Sequence, residues 1–141
     1  MKVREIAAAI EAFAPLGTQE SWDNAGLCIG SPDAEVRAVL VGFDCTPALV
    51  REAVDRGADM IVTHHPLIFH GLKRVTDEDF TGRRILKLIE NRISLIASFF
   101  IFILRLKADS VSEDACRVLS PLPDMSEVLP SPSSGKRCHI P

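Results

Sequence analysis

The sequence predicts an α/β domain in which a mostly parallel sheet is flanked by helices. Three observations carry this. Apolar runs at 38–43, 60–63 and 93–104 suit buried strands, the segments between them carry apolar residues at helical spacing, and the connections are short. The chain has 141 residues, 47% of them hydrophobic, which is one domain's worth and enough for a core without disulfide or metal staples.

Val3, Ile6, Ala7, Ile10, Phe13 and Ala14 fall on one helical face, and Pro15 with Gly17 ends this opening helix. The run at 38–43 stops at Asp44. Thr46 can then cap a helix that starts on Pro47 and ends by Gly57. A second strand at 60–63 breaks at His64-His65-Pro66, because proline cannot continue a central ladder. A helix over 82–91 feeds a third strand within 93–104. Ser110 and Glu113 have capping-box spacing ahead of a short helix to Leu119. Residues 1–119 are thus assigned to the α/β domain and 120–141 to a tail rich in Ser and Pro.

Charge narrows the function classes. Sixteen basic against 19 acidic side chains give a net charge of -3, without the basic stripe that nucleic acid requires. Cys28, Cys45, Cys116 and Cys138 form no C-x-x-C pair, and charges interrupt what would be a signal peptide's apolar stretch, which sets the expectation of a reducing, cytoplasmic setting. The run at 93–104 is too short to span a bilayer, which takes about 20 residues. Neither nucleic acid nor membrane is expected as a partner. No P-loop, G-x-S-x-G elbow or G-x-G-x-x-G after a strand occurs.

In a parallel sheet the carboxyl ends of the strands share one edge, where ligands bind. Asp44 ends one strand and His64 and His65 end the next, which outlines a metal site. The alternative is plain: adjacent histidines in a regular strand point to opposite faces, and Asp44 equally suits a helix start. A bend at Pro66, or a site with two ions, removes the first objection. His70 and His139 read as solvent-facing. Asp23 and Asn24, within Ser21-Trp22-Asp23-Asn24-Ala25-Gly26, have the chemistry of a tight turn and could border the same site.

Three stretches, ESWDNAGLCIG at 20–30, VGFDCTPALVREAV at 41–54 and GADMIVTHHPLIFHGLK at 57–73, resemble successive blocks of the NIF-three-like family. These are ring-forming dinuclear-metal proteins, also called GTP cyclohydrolase type-two homologues. The resemblance runs from Met1 to about Ala97 and implies the first half of that fold. It implies a divalent-metal-binding protein, a hydrolase of a nucleotide-like substrate, with His64 and His65 as ligands of zinc, iron, manganese or a similar ion. No catalytic residue is assigned. The family's next strand carries H-T-N-L-D, and here Phe99 stands at the histidine and Ile103 at the ligand aspartate. The remaining family ligands, a histidine and a glutamate, lie near the end of a longer chain, so the resemblance implies a locally disrupted, truncated member whose metal is weakly held. Self-association, or pairing with a full-length paralogue, is the expected partnership. A non-catalytic binding or assembly module, or an inactive fragment, is the alternative.

Overall fold

The computed structural model describes residues 1–21, 23–98 and 117–119. Trp22, the second half of the apolar run, the capping-box segment at 110–113, Cys116 and the tail at 120–141 lie outside the described residues. The chain runs α1 (Val3–Phe13), a 3-10 turn (Leu16–Thr18), β1 (Gly26–Ile29), β2 (Val39–Gly42), α2 (Pro47–Asp55), β3 (Met60–Thr63), α3 (Phe80–Glu90), β4 (Ser94–Ala97) and β5 (Arg117–Leu119). The sheet order is β1-β4-β3-β2-β5.

The helix caps follow from local chemistry. Thr46 Oγ1 accepts the amide of Leu49 at 3.1 Å and Pro47 occupies the first turn of α2, where its missing N–H costs nothing. Helix α3 begins at Phe80, two residues before the sequence expectation, because Asp79 Oδ1 accepts the amide of Gly82 at 2.7 Å. Gly82 is required there: a Cβ would sit 1.9 Å from the carbonyl oxygen of Thr76.

The predicted parallel centre is present, with β2 parallel to β3 and β3 to β4. Both edges differ from the expectation. Strand β1 pairs antiparallel with β4, and Arg117–Leu119 forms an antiparallel strand on β2 where a helix was expected. Edge strands of three or four residues carry too little periodicity to announce themselves. In β1 the signal is weaker still, since the register shifts between Leu27 and Ile29, a bulge at Cys28.

Alternation along the strands divides the interior into two layers. Leu40, Ile61 and Leu95 face α2 and α3, packing with Leu49, Val50, Ala53, Ile85 and Leu88. Val39, Met60, Val62 and Ile96 face the opposite way and meet Val3 and Ile6 of α1. Because both faces of β3 are covered, all four of its residues are buried, which is why it reads as a continuous apolar run.

Asp59 locks the starts of the central strands. Its Oδ2 accepts the amides of Arg37 at 2.8 Å and Ala38 at 3.2 Å, its Oδ1 accepts the Arg37 guanidinium at 3.0 Å, and its own amide donates to the Ala38 carbonyl. Burial alone would raise this carboxyl, but the Arg37 side chain and the two amides outweigh it and hold the group below its ordinary value. A depressed folded-state pKa contributes stability that is present above the unfolded value and lost as pH falls through the folded one. Asp59→Asn should therefore melt below the native chain at pH 7. The gap should narrow once pH drops below about 3.9, the ordinary carboxylate value. Thermal unfolding at pH 7 and pH 3 checks this, and an equal gap at both values would refute it.

Candidate metal site

Gly42, Thr63 and Ala97 lie in register, so the three parallel strands end level. Phe43, His64 and Ser98 follow at that edge. The His64 amide donates to the Phe43 carbonyl at 3.0 Å and the Ser98 amide to the Thr63 carbonyl at 2.8 Å. Helix α2 packs closely on this edge: a Cβ on Gly42 would lie 2.6 Å from Leu49 Cδ2.

Strand β3 stops at Thr63, so the histidine pair occupies a bend and the two-residue alternation of a strand no longer applies. The bend is fixed by backbone. The Phe43 carbonyl also accepts the His65 amide at 3.3 Å, and the buried Thr63 hydroxyl donates to the His65 carbonyl at 2.8 Å. As a result the two imidazoles lie together, with centroids 4.6 Å apart and planes at 65°.

Asp44 meets this pair. Its Oδ1 lies 2.8 Å from His65 Nδ1, with both side chains about half exposed. A carboxylate on Nδ1 selects the tautomer protonated there and leaves the Nε2 lone pair for a metal or substrate proton. Asp44 is placed by the turn into α2, where its carbonyl accepts the Thr46 amide at 2.8 Å. Burial pushes the thiol of Cys45 beside it up to about 11, despite the opposing charge of Arg84. Arg84 also donates to the Cys45 carbonyl at 2.7 Å, tying α3 to this turn.

The other sequence candidates take lesser places. Asn24 Nδ2 donates to the Ile68 carbonyl at 2.8 Å, which fastens Asn24 to the connection after the histidines. Asp23 turns its carboxylate onto the amide of Asn24 at 2.8 Å. His70 is exposed. Phe99, Ile103, Cys138 and His139 lie outside the described residues. Among the described residues no group of three or more His, Cys, Asp or Glu side chains could hold a metal ion. A depression of about 310 Å³ beside Ile29, Ile89 and Arg92 sits at the far end of β4, away from the histidines. Sequence reasoning missed Phe43, whose ring touches both imidazoles. An aromatic residue directly before Asp44, where the apolar run leaves the sheet, was the available signal.

The fold and this edge define an α/β domain that presents paired histidines at the carboxyl ends of parallel strands. The chain belongs to the Duf34/NIF3 (NGG1p interacting factor 3) family, whose model matches residues 1–99. It is 36% identical over 98 residues to the Clostridium acetobutylicum protein named GTP cyclohydrolase 1 type 2 homolog, covering 70% of this chain and 37% of that protein. Among solved structures it is similar to Staphylococcus aureus protein SA1388, at 43% identity and a TM-score of 0.66, over 69% of this chain and 28% of that one. A Bacillus cereus protein related to NIF3 matches at 37% identity and a TM-score of 0.65, over 70% and 27%. The chain thus spans between about a quarter and two fifths of the length of these relatives. No helix among the described residues is long and apolar enough to cross a membrane.

Proposed function

We propose that this chain binds a divalent metal ion through His64 and His65, and that it holds the ion weakly. The observation that supports the reading is the contact of two imidazoles in a bend at the strand edge, one of them oriented by Asp44. The donor set fits in part: imidazole nitrogen suits zinc, iron and manganese, but a catalytic zinc usually keeps three protein ligands. A bound ion would supply Lewis-acid polarisation there. The chain's own contribution is orientation, through the Asp44 carboxylate on His65 Nδ1 and the backbone that fixes the bend. The name of the curated relatives makes a nucleotide-like substrate and a hydrolytic reaction the activity to test. The first test is metal content of the purified, tag-free chain. Loading with zinc or manganese should give at most one ion per chain, lost on dialysis. Two ions retained after dialysis would overturn weak binding, and no uptake at millimolar metal would overturn binding itself.

A second reading, an association module, is favoured by a specific observation. Phe69, Leu72 and Val75, on the connection between β3 and α3, and Phe80 at the start of α3 are 43%, 45%, 41% and 72% exposed. Apolar side chains recurring along one segment mark contact surfaces more often than scattered ones do. Light scattering should show self-association that Phe80→Lys weakens. A monomer at high concentration for the unmodified chain would exclude this reading.

A further inference from the structure

Phe43 is more than half exposed, at 57%, so burial does not account for it. Its ring lies 4.9 Å from the His64 ring with planes at 18°, a stacked contact. It lies at the same 4.9 Å from the His65 ring with planes at 83°, an edge contact. The same residue supplies the carbonyl that accepts both histidine amides. One side chain thus touches both imidazoles, while the next residue, Asp44, takes the Nδ1 of one of them.

Two rings that must share an ion lose rotamer freedom when it binds, and that loss weakens binding unless it has already occurred. Offset and edge contacts between flat rings restrain both the distance and the tilt of each ring. Resting on the metal-site reading above, we infer that Phe43 is a positioning residue for the histidine pair, holding both imidazoles in a shared orientation before metal arrives. A dipeptide at the end of β2, Phe43-Asp44, grips a dipeptide at the end of β3, His64-His65, by backbone, ring and carboxylate. The ring is separable from the backbone part, because every substitution keeps the main-chain carbonyl.

The test compares Phe43→Ala, Phe43→Leu and Phe43→Tyr in the full chain. Proton NMR of the metal-free chain should show the His64-to-His65 ring-to-ring NOEs, expected from centroids 4.6 Å apart, weakening in Phe43→Ala and staying near native strength in Phe43→Tyr. Zinc affinity, by calorimetric titration, should fall about tenfold in Phe43→Ala and recover in Phe43→Tyr, the range typical of groups that orient metal ligands. Phe43→Leu retains bulk without a ring and should recover little. Unchanged inter-imidazole NOEs in Phe43→Ala would overturn the inference whatever the metal does. Weakened NOEs with affinity within twofold of native would overturn it too. If His64→Ala with His65→Ala leaves zinc uptake intact, the ligand reading fails, while the metal-free NMR comparison still decides whether Phe43 holds the rings. Should Phe43→Ala not fold, Phe43→Leu against Phe43→Tyr gives the same contrast.

Discussion

Ile61→Ala should lower the stability of the chain by about 2–5 kcal/mol, the usual cost of emptying a fully buried aliphatic site. Ile61 is 0% exposed in the middle of the sheet. Leu40 and Leu95 pair with it in register on either side, so the three side chains form one row against α2 and α3. A cavity there is bordered by paired strands on both sides, which limits collapse around the missing atoms. Since a domain's net stability is roughly 5–15 kcal/mol, the change would consume a large share of it. Urea unfolding should show a lower midpoint with an unchanged slope. A loss below about 1 kcal/mol would mean that the core is not packed as described.

Replacing His64 and His65 together by alanine should abolish measurable uptake of zinc or manganese while leaving the fold intact. Neither ring is buried, so the change opens no cavity in either core layer. The bend should persist, because it is fixed by the Phe43 carbonyl and the Thr63 hydroxyl rather than by the imidazoles. Asp44→Asn should give an intermediate result, about a tenfold loss, since the amide no longer selects the tautomer with a free Nε2. Calorimetric titration with circular dichroism of each variant checks these outcomes. Metal uptake unchanged in the double variant would show that the ligands lie elsewhere.

Much of this architecture was legible in the residues alone, for physical reasons that differ by element. Met60–Thr63 is covered on both faces and therefore appears as an unbroken apolar run, and Thr46 with Pro47 states the start of α2 in side-chain chemistry. Strands β1 and β5 were not legible. They are short, and their partners are set by pairing across the sheet, Val39 with Leu119 for example, rather than by any local pattern. The histidine pair illustrates both sides of this. Its position at a strand end follows from Pro66, but the placing of both rings together depends on where β3 stops and on a carbonyl twenty-one residues earlier in the chain, at Phe43. Contacts of the Phe43 ring are tertiary, and nothing in the spacing of Phe43, His64 and His65 specifies them.

The strand order also fixes how the molecule should come apart. Strand β3 is the central strand, with β4 and β2 on its two sides and β1 and β5 at the rims. Local opening begins where backbone pairs have neighbours on one side only, so the rim strands should fray before β2 and β3 separate. The histidines hang from β3 and are clasped by Phe43, the residue that follows β2. Their arrangement is therefore tied to the seam that opens last, and amide-exchange protection at this edge should approach that of global unfolding while the rims are already exchanging.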